Sequence, residues 1–221
     1  MRKLVHLYKR RPGMEVADFH ARLAGAAEGD PDIPGLVRYV QSHSLLKGYA
    51  RGELAFDAME EFAFAHPDLA GLWCASPGAG DLLARREGIL DPGATITLIV
   101  DVHRIKSRPV PAGAVKSIEL VTRRDSLSLA DFRHHWRVVH GPLAATIPSV
   151  LRYEQNHCAL EDYMGGGAPR LDGLAITWFA TTDAMREGAR TQAYTDTRAD
   201  EPNFLPDGHL PTVLAREVLE R

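Results

Sequence analysis

Arg38-Tyr39-Val40-Gln41-Ser42-His43 and Arg152-Tyr153-Glu154-Gln155-Asn156-His157 stand 114 residues apart and share R-Y-x-Q-x-H. Ile33-Pro34 and Ile147-Pro148 match at the same spacing. Upstream the offset is 113, where Lys3-Leu4-Val5-His6-Leu7 lies over Lys116-Ser117-Ile118-Glu119-Leu120. Arg10-Arg11 then lies over Arg123-Arg124, and Ala17-Asp18-Phe19 over Ala130-Asp131-Phe132. Self-similarity at a fixed period predicts a duplicated unit, here of roughly 110 residues. The expected copies are residues 1–105 and 114–221, with Arg104 to Gly113 (RIKSRPVPAG) as a Pro/Gly linker.

The second copy reads most clearly. Ser117 to Thr122 alternates, with Ile118 and Leu120 on one face, and predicts a strand. Ser128 and Asp131 form a helix start. Leu129, Phe132, Trp136 and Val139 follow at helical spacing, and Gly141-Pro142 is expected to stop the helix. Val150 to Ala159 and Leu174 to Ala180 predict two further strands, joined at a glycine tip, Gly165 to Gly167. Thr182-Asp183 opens a helix towards Tyr194, and Pro211 to Leu219 predicts a last strand. In the first copy the second helix is longer, Pro67 to Arg86, and broken at Ser76-Pro77-Gly78. The order βαββαβ is that of ferredoxin-like units, an α+β class. Such a sheet leaves one apolar face uncovered. Two tandem units can cover it sheet to sheet, as a barrel within one chain.

Tyr39, Gln41 and His43 share one strand face, as do Tyr153, Gln155 and His157. A stripe of hydroxyl, amide and imidazole is unlike a plain core. It fits either a hydrogen-bonded edge strand or two stripes facing one shared cavity around a small molecule. His140 falls on the apolar helix face at the expected helix end. It is a structural cap or a chemical group. The first copy has Ala27 at the aligned position and lacks the His-Gly-Pro-Leu block, so the fold does not require the histidine. His134 and His135 are expected on the solvated face. Five residues of α-helix separate His135 from His140 by about 140°, which argues against a two-histidine metal site. No metal and no cofactor are expected. Trp136 reads as core, and Trp178 as core or cavity wall.

Composition excludes several classes. With 26 Lys and Arg against 29 Asp and Glu, the 221-residue chain lacks a nucleic-acid footprint. Two cysteines, Cys74 and Cys158, are too few for a disulfide framework. No apolar run approaches the length of a membrane helix, and the N-terminus has no secretory apolar region. A cytoplasmic protein with a small-molecule substrate, without nucleic-acid or membrane partners, is expected. Two such chains could pair as a homodimer.

Trp136-Arg137-Val138-Val139-His140-Gly141-Pro142-Leu143, followed by Arg152-Tyr153-Glu154-Gln155-Asn156-His157, resembles the EthD family of dimeric α/β-barrel proteins. The strand from Asp172-Gly173 to Phe179 and the block Asp200-Glu201-x-x-Phe204 also look like that family. The first copy departs from it by lacking His-x-Pro-Leu. The resemblance implies a cofactor-free enzyme acting on an oxygenated aromatic, polyketide-like or lactone substrate. His140 and Tyr153 are its implied catalytic groups, with His157 as a third. Gln155, Trp178, Tyr39, Gln41 and His43 are the expected substrate contacts. The reaction expected is that of a lyase or isomerase, by dehydration, decarboxylation or lactone or enol isomerisation. A cofactor-free monooxygenase is the alternative enzyme, a haem-binding relative is a third reading, and a non-catalytic binding or accessory protein is the non-enzymatic one.

Overall fold

The strand-forming segments alternate between two environments, and their helices cover only one of them. In the computed structural model, which describes residues 1–30, 32–164 and 168–221, the class is mixed α+β. The chain divides into two compact units: Met1–Asp101 with Ala215–Arg221, and Val102–Leu214. This division differs from a cut at the Pro/Gly segment. Strand β4 (Ile96–Ser107) runs into the start of it, and the last strand, β8 (Thr212–Glu220), divides between the units. The expected glycine tip, Gly165 to Gly167, lies outside the described residues.

In the first unit β1 (Arg2–Tyr8) is flanked antiparallel by β3 (Ala58–Phe64) and the start of β4. β2 (Leu36–Ser44) pairs with β3 on one side and the end of β8 on the other. One face carries Leu4, Tyr39, Phe62 and Phe64. Helices α1 (Val16–Glu28), α2 (Pro67–Cys74) and α3 (Pro77–Ala84) bring Ala27, Ala70 and Leu82 against it. The break between α2 and α3 falls at Ser76-Pro77, where the Ser76 hydroxyl caps the new helix.

In the second unit β5 (Val115–Val121) pairs with β7 (Gly173–Phe179), and β7 pairs with β6 (Arg152–Cys158). The register sets Glu119 and Gln155 on either side of Ala175, and Ser117 and Tyr153 on either side of Thr177. α4 (Leu129–His134) starts at Ser128, whose hydroxyl accepts from the Asp131 amide as expected. The helix does not stop at Gly141-Pro142. It widens into a π turn over His135–His140 and continues as α5 (Gly141–Ala145). The wider turn carries Val139 out of the apolar stripe, leaving it 40% exposed. The helix after β7 is also two, α6 (Thr182–Gly188) and α7 (Gln192–Asp200), because Thr191 caps a new start.

Trp136 lies flat on this sheet where Gly173 has no side chain. A Cβ at Gly173 would stand 2.3 Å from the Asn156 carbonyl oxygen and 2.9 Å from the Trp136 ring. Neither atom is the end of a flexible chain. Gly173→Ala is therefore expected to destabilise the protein by about 1–3 kcal/mol, the usual cost of overpacking. A lowered urea midpoint with unchanged slope is the readout.

Each unit also carries the same three-residue clamp. In the first, Asp57 accepts from the Arg10 backbone N–H at 2.7 Å, the Arg10 guanidinium at 2.9 Å and the Tyr49 hydroxyl. In the second, Asp172 accepts from the Arg123 backbone N–H at 2.7 Å, its guanidinium at 2.9 Å and the Tyr163 hydroxyl. Among the described residues no helix is long and apolar enough to cross a membrane.

Candidate active site

A cavity of about 540 Å³ lies within the second unit, between the β5-β7-β6 face and its helices. Val121, Trp136, Ile147, Val150, Phe179 and Phe204 form much of its apolar wall. Among the polar groups of the lining, His140, Tyr153, Glu119, Glu201, Arg198 and Tyr194 carry most of the chemistry.

His140 is only 7% exposed and packs on Phe204, with ring centroids 4.7 Å apart. Its Nδ1 lies 3.1 Å from Asp200 Oδ2. A carboxylate only accepts, so Nδ1 holds the proton and Nε2 carries the lone pair. Nε2 makes no hydrogen bond among the described residues. Burial lowers the His140 pKa against the opposing pull of Asp200, so the ring is neutral at pH 7. Asp200 ends α7, where the helix dipole disfavours an anion. Three donors offset this: His140, His135 Nε2 at 2.9 Å and Asn203 Nδ2 at 3.0 Å. Burial would raise the Asp200 pKa, but these hydrogen bonds outweigh it and hold it low.

His135 was expected on the solvated face, 140° from His140 on an α-helix. The π turn corrects that geometry. Hydrogen bonds from i to i+5 stack residues five apart, so both imidazoles reach one carboxylate. Each oxygen takes one ring, and no group among the described residues is arranged to hold a metal ion.

Tyr153 is nearly fully buried, and its hydroxyl accepts twice, from Trp136 Nε1 at 3.2 Å and Gln155 Nε2 at 3.1 Å. Both lone pairs are thereby used. The hydroxyl proton is left for an acceptor in the cavity. Burial keeps the phenol well above its ordinary pKa, so it stays a donor. Nearby, burial raises the Glu119 carboxyl, with Arg198 opposing. Burial and Glu119 push Glu201 up to about 7 despite its ion pair with Arg198 at 2.7 Å.

Other expected contacts lie elsewhere. His157 sits behind Trp136, stacked on that ring at 4.2 Å, and does not line the cavity. Burial lowers it to about 2, so it stays neutral. Gln155 spends its amide on Trp136 and Tyr153. Trp178 falls on the opposite sheet face because side chains alternate, and there the Arg152 guanidinium lies 4.5 Å from its ring. Tyr39, Gln41 and His43 belong to the first unit, in a network of their own. Tyr39 and Gln41 donate to buried Glu60 at 2.7 and 2.9 Å, and His43 bonds Gln41 and stacks on His20. Each stripe is thus engaged under the helices of its own unit, which replaces the expectation of one shared cavity.

Sequence reasoning passed over Glu119 as the polar side of an alternating strand. Only the charge in an otherwise apolar neighbourhood could have flagged it. Asp200 and Glu201 read as an acidic pair at a helix end, where acidic residues are common, and as part of the family-like block. The lining does not fit a haem: its two carboxyl groups, Glu119 and Glu201, offer no cation to the propionates. Of its arginines, Arg198 is paired with Glu201 and Arg186 with Asp183.

Residues 124–207 match the family model described as EthD domain. No curated protein matches the chain in sequence. Solved structures share its fold at low identity. An anthrone oxidase-like protein aligns with TM-score 0.65 and 9% identity, covering 100% of this chain and 92% of that one. A putative monooxygenase from Lactobacillus acidophilus NCFM aligns with TM-score 0.58 and 14% identity, covering 98% and 97%. A putative chlorite dismutase, TA0507, aligns with TM-score 0.57 and 14% identity, covering 99% and 94%.

Proposed function

We propose that the second unit is a cofactor-free acid–base enzyme acting on an uncharged, oxygenated aromatic, polyketide-like or lactone substrate. One observation carries this reading: a neutral imidazole, oriented by Asp200, and a phenol with its proton unspent line the same apolar cavity. His140 Nε2 removes a proton alpha to a carbonyl. The oxygen takes the developing charge and accepts the Tyr153 hydrogen bond. His140 then returns the proton at a second position, which completes an isomerisation. In a dehydration the C–O bond beta to the carbonyl breaks instead, the hydroxyl leaves as water with a proton from Glu201, and His140 releases its proton to solvent while Glu201 takes one up. The two carboxyl groups disfavour an anionic substrate.

The same anion could instead react with oxygen, and a monooxygenase is the second reading, supported by the names of two structural relatives, one a putative monooxygenase and one anthrone oxidase-like. Turnover of oxygenated aromatics and lactones, followed with an oxygen electrode, separates the two. The expected result is product formation without oxygen uptake. Tyr153→Phe is expected to lower kcat about a hundredfold, the usual loss for one oxyanion donor. Binding without turnover would instead support an accessory role.

We also propose that the chain is a tandem duplication of ferredoxin-like units. The repeated R-Y-x-Q-x-H strands and the atom-for-atom repetition of the Arg-Asp-Tyr clamp support it. On this reading the first copy has lost the site. It lacks the histidine, and the buried Arg86 guanidinium now satisfies Glu60 beneath its helices.

A further inference from the structure

The pairing of His135 and His140 on Asp200 depends on a widened helical turn. Pro142 supplies part of the reason. In a regular α-helix its ring would press on the Val138 carbonyl, and it has no N–H to donate. Gln155 supplies the rest. From β6 its Nε2 donates to the Trp136 carbonyl at 2.6 Å. That carbonyl also accepts the Gly141 N–H, five residues on. Both lone pairs of one oxygen are therefore committed, one to the π turn and one to the sheet. Gly141 leaves room for the amide, since a Cβ there would stand 3.1 Å from Gln155 Nε2.

The first unit offers an internal comparison. Gln41 occupies the corresponding strand position and reaches the Leu23 carbonyl at only 3.4 Å. There α1 is α-helical over Val16–Glu28, without a π turn. A longer bond accompanies a regular helix, and a short one accompanies the widened turn.

We infer that Gln155 is a positioning residue: its amide pins the Trp136 carbonyl in the π turn and so brings His140 onto Asp200. Its side chain does not line the cavity. The inference rests on the reading of His140 as the base, but its test requires no turnover.

The experiment is crystallography of Gln155→Leu and Pro142→Ala, with nitrogen-15 NMR of histidine-labelled protein. His135, Asp200 and Arg198 are the charged or titratable groups acting on His140, and all three are retained in both variants. Wild type is expected to show His140 with the proton on Nδ1. In Gln155→Leu the turn narrows, the His140–Asp200 bond is lost, and the signals move towards the Nε2–H tautomer. Pro142→Ala regains an amide donor but keeps Gln155, so it is expected to retain the π turn and the wild-type tautomer. An unchanged turn and tautomer in Gln155→Leu would overturn the inference. So would reversion to a regular α-helix in Pro142→Ala, which would show that the Gln155 bond cannot pin the turn without the proline. That second arm decides the matter even if Gln155→Leu does not fold.

Discussion

His140→Ala is expected to lower kcat/KM at least about a hundredfold while the chain stays folded. Folding should survive because Asp200 keeps two donors, His135 and Asn203. The lost hydrogen bond to a carboxylate then costs about 1.5–3 kcal/mol. Asp200→Asn should lower activity by the opposite route. Its amide can donate to Nδ1, which moves the imidazole proton to Nε2 and removes the base. His140→Asn retains a polar group but no usable base, so a binding protein would tolerate it and a proton-transfer enzyme would not. The pH profile gives an independent check. His140 must be neutral, and its pKa is lowered, so activity should persist below pH 6.5 before falling. Where Glu201 serves as the acid, activity should also fall above about 7, and Glu201→Gln should abolish that alkaline limb. Wild-type turnover in His140→Ala would refute the assignment.

The repeated strands and the order of elements were legible because local patterns dictate them. Alternation, the Ser128 cap and the Ser76-Pro77 break each act over a few residues. His140 and Tyr153 also stood out in the sequence, one because the matching stretch has Ala27 in its place and the other by its stripe. The face of the helix around His135 was not. A period of 3.6 residues is assumed in any such reading, and a π turn breaks that assumption where the site lies. The destination of the stripes was equally hidden. Period-two alternation fixes which side chains share a face, but not whether a helix, a cavity or a buried cation meets them. Tyr39 and Tyr153 hold the same place in R-Y-x-Q-x-H, yet one donates to Glu60 and the other lines a cavity.

Arg86→Met is expected to destabilise the protein by about 3–5 kcal/mol, a large share of the roughly 5–15 kcal/mol available to a typical domain. Arg86 is 0% exposed and bridges Asp30 at 2.7 Å and Glu60 at 3.0 Å. Without it, fully buried Glu60 would keep its charge with only neutral donors from Tyr8, Tyr39 and Gln41. The pH dependence fixes the sign. Burial would raise the Glu60 pKa, but Arg86 and these donors outweigh it, so the folded value lies below the ordinary one. Its contribution is present above about pH 4.3 and is lost as pH falls through the folded value. In Arg86→Met burial is no longer offset by a cation, and the folded value rises above the unfolded one. Acid should then stabilise the variant relative to wild type, and the gap between their urea midpoints should narrow from pH 7 to pH 5. Glu60→Gln in the Arg86→Met background should recover more than half of the loss, because the charge that needed Arg86 is gone. Equal midpoints for wild type and Arg86→Met at pH 7 would show that the guanidinium does not compensate Glu60. Turnover per folded molecule should be unchanged in both variants, since Arg86 and Glu60 lie in the unit without the His140 site.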